Sequence, residues 1–254
     1  MSAPPRGATV SGRCELLDWD SRFFGLTIAR LRPGRVDDEE AEAALAWCEE
    51  HAVDCLYFLA SGDDGETLRA VEARSFELVD VRIDLRRNLD AAAPDPALLE
   101  RVRPAGAADR DALAAISREA FTASRFFFDG RFPHDLCAAL FETWLDRALA
   151  GELAELVLCA DVDGAPAGFV TCELDESGDG RIGLLGVAER ARGRGLGTRL
   201  CQAALAWFAR EGAGAATVTT QGRSVPALRL YENCGFNASA VSLWYHRWFD
   251  RREA

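Results

Sequence analysis

Polar and apolar positions follow two rhythms along this chain. Within 76–85, the run Val79-Asp80-Val81-Arg82-Ile83-Asp84-Leu85 changes character at every step. A period of two turns one face of a strand to the core and the other to water. Residues 55–59 are a short unbroken apolar run, which predicts a buried strand. Residues 39–51, with Ala43, Leu45, Ala46 and Cys48, favour a helix, and 62–66 opens a second helix that ends near Ala73. Leu16 and Leu17 lead through 18–26 into a strand at 27–31. The first region, 10–87, therefore reads β-α-β-α-β.

A second region runs from about Leu99 to Trp248. A strand at 101–103 is followed by a helix at 107–121, with Asp109 and Asp111 in its first turn, where the positive helix end favours them. Phe126-Phe127-Phe128 and Phe132-Pro133 read as an aromatic loop, and 135–148 as a helix. Strands at 155–160 and 168–174 flank the turn Asp163-Gly164, and another strand covers 181–187. A long helix over 195–210, a strand at 215–220, a helix at 224–233 and a final strand pair within 236–248 complete the order. Between the regions, Leu89-Asp90-Ala91-Ala92-Ala93-Pro94-Asp95-Pro96 reads as a linker. The expected division is an N-terminal αβ region at 1–95, assigned to the substrate side, and a second domain at 96–254. Interleaved strands and helices predict an α/β protein with an α+β mixed central sheet covered by helices. There is no repeat at a solenoid period, although both regions read as variations on one αβ unit.

Hydrophobic residues are 49% and charged residues 28%, an ordinary globular mix. No apolar run approaches the roughly 18 residues of a membrane helix, and Met1-Ser2-Ala3-Pro4-Pro5-Arg6-Gly7 has no apolar core of a leader. The expectation is a cytoplasmic chain without a membrane partner. A net charge of −12 argues against nucleic acid, whose phosphates would be repelled overall. It leaves room for a local basic pocket that takes a phosphorylated small molecule. All 29 basic residues are Arg, so any cationic contact is a guanidinium. Cys14, Cys48, Cys55, Cys137, Cys159, Cys172, Cys201 and Cys234 are scattered and form no cluster with His51, His134 or His246. They read as small buried hydrophobes, and no metal site is expected.

The chemistry concentrates in Leu185-Gly186-Val187-Ala188-Glu189-Arg190-Ala191-Arg192-Gly193-Arg194-Gly195-Leu196-Gly197-Thr198. A buried strand ends, an Arg/Gly loop follows, and an apolar-periodic helix begins at once. Gly193, Gly195 and Gly197 remove side chains that would block approach to the backbone. Amides at a helix N-terminus carry about half a positive charge and suit a pyrophosphate. Arg190, Arg192 and Arg194 add charge. The glycine spacing does not fit a dinucleotide fingerprint, and a Walker loop fails for want of Lys. The bland alternative is a tight strand-to-helix turn with a basic rim.

The segment from Arg192 to Gly197 is similar to the R-x-x-G-x-G pyrophosphate loop of the GCN5-related N-acetyltransferase (GNAT) superfamily. Leu185-x-Val187 fits the strand before that loop, and Ala227-x-x-Leu230-Tyr231-x-x-x-Gly235-Phe236 fits the superfamily's A-x-x-L-Y-x-x-x-G-F helix. The chain departs from the pattern at Glu189, where many members have Pro, and at Ser224, where many have Asn. A narrower resemblance, to sugar-nucleotide N-acetyltransferases of this superfamily, rests on Trp19 to Gly25, Ala120-Phe121-x-x-Ser124-Arg125-Phe126, 181–185 and Thr220-Gln221.

The resemblance implies a GNAT acyl-CoA acyltransferase fold, preceded by a smaller N-terminal αβ region. It implies acetyl-CoA as co-substrate, held by Leu185, Val187, Arg192, Gly193, Arg194, Gly195, Leu196, Gly197, Thr198 and Ser224. The Val187 N–H would face the thioester carbonyl, and Tyr231 would be the general acid. Packing alone would also account for Tyr231. Glu173, His134 and His246 are candidate bases, and none is chosen among them. Trp19, Ser124, Arg125 and Phe126 are the expected substrate contacts, the aromatic loop forming a lid with Arg125 on a diphosphate. Ordinary core and a surface charge are the alternatives there. The implied acceptor is a small-molecule amine, a dTDP-linked 4-amino-dideoxy sugar. A cationic amine, a peptide N-terminus and a non-catalytic acyl-CoA sensor stay open, as does a homodimer.

Overall fold

The computed structural model describes residues 13–32, 34–89 and 102–250. The leader reading at Met1 to Gly7 and most of the linker reading fall outside them. In chain order the elements are β1 (Cys14–Leu16), α1 (Asp18–Phe24), β2 (Ile28–Leu31), α2 (Asp38–Glu50), β3 (Cys55–Ser61), α3 (Gly65–Glu72) and β4 (Glu77–Asn88). They continue with β5 (Val102–Pro104), α4 (Arg110–Ala120), α5 (Arg125–Asp129), α6 (His134–Leu149), β6 (Leu156–Val162), β7 (Ala165–Leu174) and β8 (Gly180–Val187). The last are α7 (Leu196–Arg210), β9 (Ala215–Gln221), α8 (Val225–Asn233) and β10 (Asn237–Trp248).

The chain forms two compact units. One holds Ile83–Ala123 and Cys137–Ala240, and the other holds the described residues of Ser2–Arg82, Ser124–Leu136 and Val241–Ala254. The sequence suggested a contiguous division at 95. A Pro-containing stretch shows where the chain leaves an element. It does not show which unit a long strand feeds: β4 enters the first unit at Ile83, and β10 leaves it at Val241.

In the first unit the strand order is β4-β9-β8-β7-β6-β5. β5 to β8 pair antiparallel in succession, and β8 pairs β9 in parallel. Helix α7 supplies Leu196, Leu200, Ala204 and Phe208 to the main core, against Val170, Ile182 and Val218 of the strands. Helix α4 adds Leu113 and Ile116 to a second cluster with Cys159 and Phe169. In the other unit the order is β1-β2-β3-β10, with β2 and β3 parallel and β3 antiparallel to β10. Its core joins Ala44 and Cys48 of α2 to Leu56 and Phe58 of β3, Val71, Phe76 and Tyr245.

One αβ unit occurs twice. Strands β3 and β4 stand 160 residues before β9 and β10, with the same lengths. The helices between them begin after Asp64 and Ser224, which occupy matched positions. Gly62, Leu68, Arg69, Glu72 and Phe76 recur as Gly222, Leu228, Arg229, Glu232 and Phe236. Both helices end alike. Ser75 and Gly235 have positive φ (60° and 81°), and Phe76 and Phe236 return their N–H to the carbonyls of Val71 and Tyr231. Arg87 donates to the carbonyl of Cys234 and the matched Arg247 to that of Arg74, so each arginine covers the helix end of the other copy.

Two elements differ from the sequence reading. Residues 126–128 belong to α5, because the apolar side of this short segment is buried at Phe126. The expected strand pair in 236–248 is the single strand β10, since no Gly or Pro interrupts 237–248 to fold it back.

Phe76 and Phe236, 4% and 2% exposed, close matched corners of the two copies. Phe76→Ala and Phe236→Ala are each expected to lower stability by about 3–5 kcal/mol in denaturant titration. A loss in either under ~1 kcal/mol would show that the corner tolerates a void.

Candidate active site

The site begins with an irregularity in β8. Val170 pairs with Leu185 and Cys172 with Ile182, so Gly183 and Leu184 together face Thr171. Two residues against one make a bulge, which bends the strand. Thr171 Oγ1 accepts the Leu184 N–H at 2.7 Å, taking the place of a ladder partner. At Gly183 a Cβ would lie 2.0 Å from Glu173 Oε1 and 2.7 Å from Thr171 Oγ1, so a larger residue would displace the hydroxyl that accepts the Leu184 N–H. An isolated Gly within an apolar strand is the one sequence signal of this bend.

Beyond the bulge β8 parts from β9. Their parallel register covers Gly180↔Ala216, Arg181↔Thr217 and Ile182↔Val218, and none of 183–187 takes part among the described residues. Ala188 donates its N–H to Ala167 on the β7 side. Amides alternate along a strand. The N–H groups of Leu185 and Val187 therefore face the side that β9 has left. The Val187 carbonyl also points there and accepts from Arg192 Nε at 3.2 Å. Leu185 and Val187 pack their side chains against the cluster that contains Tyr231.

The loop after β8 delivers a bare helix end. A 3-10 turn at Glu189–Ala191 precedes α7, whose N-cap is Gly195 at φ 74°. No side chain caps α7, and no acid lies in its first turn. Arg192, Gly193, Arg194 and Gly195 are exposed, Gly197 and Thr198 are half-buried, and Leu196 anchors the helix in the core. The first intrahelical bond runs from Arg199 N to Gly195 O at 3.1 Å, which leaves the Leu196, Gly197 and Thr198 amides without a helical acceptor. Helix α2 is the contrast. Asp37 closes it with a capping box, and Asp38, Glu39 and Glu40 fill its first turn. An anion suits α7 and is refused by α2. The residues present thus fit a diphosphate carrier at α7.

Tyr231, near the end of α8, is 6% exposed and meets Phe236 edge-on at 5.7 Å. Burial pushes its phenol well above the ordinary tyrosine range, so it stays neutral and able to donate. Ser224 is the N-cap of α8, and its side chain makes no capping bond. Burial raises the Glu173 carboxyl, while its ion pair with Arg181 opposes that shift and holds it in place.

The four expected substrate contacts fall in the other unit. Trp19 on α1 is half-buried and stacks on Phe23 at 5.1 Å. Ser124, Arg125 and Phe126 are buried, not surface residues of a loop, and Phe128 alone of the three phenylalanines is exposed. His134 is exposed beside Phe127. His246 is fully buried between Asp129 and Arg125. All eight cysteines are buried free thiols, and no group of His, Cys, Asp or Glu among the described residues could hold a metal. No helix among them is long and apolar enough to cross a membrane.

Comparison with known proteins places this geometry. The Acetyltransferase (GNAT) family profile matches residues 115–236, which span the bulge, the loop and α8. A mycothiol acetyltransferase of Beutenbergia cavernae is 31% identical over 253 residues, 95% of this chain and 80% of that protein. The chain belongs to the GNAT family. It is an N-acetyltransferase. The dTDP-fucosamine acetyltransferase of Escherichia coli O6:H1 is 28% identical over 240 residues, 94% of this chain and 99% of that protein. The crystal structure of a GCN5-related N-acetyltransferase from Sphaerobacter thermophilus superposes with a TM-score of 0.63 at 17% identity, over 92% of this chain and 76% of that one. This last likeness concerns the fold.

Burial pulls the His246 imidazole down to about 4, against the hydrogen bond that it donates to Asp129. The unfolded chain takes up a proton near pH 6.5, and the native GNAT chain refuses it until about pH 4. The stabilisation is therefore complete above pH 6.5 and lost as the pH falls toward 4, by up to ~3 kcal/mol. Denaturant titrations across that window should show the loss, and His246→Gln should flatten it. An unchanged slope in the variant would assign the loss to other groups.

Proposed function

We propose that this enzyme moves an acetyl group directly from acetyl-CoA to the amine of a small molecule, a dTDP-linked 4-amino-dideoxy sugar being the favoured acceptor. The observation that carries the acyl-donor half is the parting of β8 from β9, with the Leu185 and Val187 amides facing the opened side and the bare end of α7 following. The amides of Leu196, Gly197 and Thr198 would hold the pyrophosphate, with Arg192 and Arg194 as counter-charges and no Cβ at Gly193 or Gly195 in the way. Leu185 would pair with the pantetheine arm as a strand does. The Ser224 hydroxyl, free of a capping role, would be a further contact.

The amine nitrogen attacks the thioester carbon, and the carbonyl oxygen gains negative charge. Val187 N–H is the donor assigned to that oxygen, a role that lowers such a barrier by a few kcal/mol. The C–S bond then breaks, and neutral Tyr231 donates to the departing sulfur. The products are the amide and the free thiol: sulfur takes the Tyr231 proton, and the proton that the nitrogen loses returns to the Tyr231 oxygen, so the enzyme ends as it began.

The sugar acceptor is supported by the relative named dTDP-fucosamine acetyltransferase, which the chain matches along 99% of its length. Trp19, Ser124, Arg125 and Phe126 are assigned to that acceptor. A second reading, an amine related to mycothiol, is favoured by the Beutenbergia relative. Acetyl-CoA with a panel of dTDP- and UDP-amino sugars, deacetylated mycothiol, aminoglycosides, polyamines and peptides, with free thiol as readout, separates the two. Turnover is expected on the dTDP-4-amino sugar. Turnover confined to another amine would remove the sugar assignment, and coenzyme A binding without turnover on any amine would favour a sensor.

Tyr231→Phe is expected to lower kcat by about 100-fold or more, with KM for acetyl-CoA nearly unchanged. Undiminished turnover would remove Tyr231 as the acid. Arg192→Ala and Arg194→Ala should raise KM for acetyl-CoA about tenfold and spare kcat, as steady-state kinetics would record.

A further inference from the structure

Arg125 is the side chain that the fold treats most unusually. It is only 5% exposed. Its guanidinium lies over three rings, 4.1 Å from the centre of Trp244, 4.3 Å from Phe126 and 4.4 Å from Tyr57. Its NH1 donates to His246 Nε2 at 3.0 Å. That bond makes Nε2 the acceptor, so the imidazole proton sits on Nδ1, which donates to Asp129 Oδ2. Trp248 Nε1 donates to the same carboxylate at 3.1 Å. His246 and Tyr57 are cross-strand partners on β10 and β3, with rings 4.6 Å apart. Asp129, His246 and Arg125 thus form a relay that fixes the guanidinium in one orientation.

The relay stops short of a counter-ion. Among the described residues no carboxylate lies within ion-pair distance of Arg125; Asp20 and Asp80 act on it only from further off. More exposed arginines fare better. Arg103 bonds both Asp109 and Asp161, and Arg110 bonds both Asp146 and Glu142. A cation taken out of water without a partner is costly, and ring faces offset only part of that cost. A guanidinium has five N–H donors, and His246 takes one. Two buried hydroxyls nearby also lack a partner: Ser124 Oγ, on the preceding residue, and Tyr57 OH, on a ring that Arg125 covers. A structural arginine would have spent its donors on carboxylates or carbonyls.

We propose that Arg125, Ser124 and Tyr57 form an oxyanion-binding site that a phosphate or carboxylate of the acceptor completes, with His246 and Asp129 as positioning residues. The site stands on the geometry of its own unit. Only the identity of the anion, the diphosphate of a dTDP-sugar, rests on the function proposed above. His246 is thereby removed from the candidate bases, since both ring nitrogens are committed.

The test is calorimetric binding of dTDP, inorganic pyrophosphate and succinate to the full chain at low salt, with circular dichroism to check folding. Arg125→Lys, which keeps the charge and loses the fork, is expected to weaken the preferred anion about tenfold or more. Ser124→Ala and Tyr57→Phe should each weaken it about threefold to tenfold. They carry the test if Arg125→Lys does not fold. His246→Ala should lose affinity that His246→Gln, whose amide can still accept from Arg125, partly restores. Preference for dTDP and pyrophosphate assigns a phosphate, and preference for succinate a carboxylate. In kinetics, KM for the anionic acceptor rises in these variants while KM for acetyl-CoA holds. Folded variants that bind every anion as the parent does, or a parent that binds none, would overturn the site. Arg125-dependent anion binding without turnover on dTDP-amino sugars would sink the sugar reading and leave the site. Turnover on those sugars with unaltered KM in the variants would do the reverse.

Discussion

Everything in the acyl-donor half follows from a rule about backbone amides: an N–H that leaves a sheet must find another acceptor. The bulge at Gly183 and Leu184 turns β8 away from β9, and Thr171 repairs the single amide lost on the β7 side. On the other side no repair is made among the described residues, and the Leu185 and Val187 amides stay available. The bare end of α7 extends the same device by three more donors. A row of unspent main-chain donors suits an extended amide-bearing ligand that ends in phosphate, with few side chains involved. Under the function proposed above, such a row would let a chain without lysine and with a net charge of −12 hold an anionic carrier.

The Arg192 to Thr198 loop was legible because its chemistry is local. Glycines, arginines and an immediate apolar helix are all within reach of one another along the chain. Tyr231 was singled out by the helix motif around it, and the structure shows that motif as α8 with Tyr231 buried. The parting of β8 and β9 was not legible, because a register between strands far apart in sequence leaves no mark on either except Gly183. The Asp129–His246–Arg125 relay was hidden for the same reason: its members come from α5 and β10, more than 100 residues apart. Periodicity gave the elements but assigned 126–128 to a loop. The Pro-containing stretch at 89–96 suggested one cut, where the fold passes β4 and β10 from one unit to the other.

The two kinds of arginine in this protein have different physical weight. Arg103 and Arg110, both more than 40% exposed, hold carboxylates in water-screened pairs that contribute little each. Arg125 sits where screening is weak, and its one hydrogen bond reaches a neutral ring. Neutrality of His246 is what keeps the relay coherent: a second ring proton would turn Nε2 from acceptor into donor and set two cations against each other.

The duplicated strand-helix-strand carries its own control experiment. Leu68, Arg69, Glu72 and Phe76 reappear as Leu228, Arg229, Glu232 and Phe236, so those identities are what this small architecture asks of any copy in order to close. Where the copies diverge, the architecture is indifferent and chemistry is free to choose: Val71 against Tyr231, and a capping Asp64 against a Ser224 that caps nothing. Val71 is as deeply buried as Tyr231, which means an aliphatic side chain satisfies the packing at that corner. On the function proposed above, the phenol in the later copy adds a proton donor to a corner that the earlier copy closes with an aliphatic side chain, a comparison that one molecule supplies by itself.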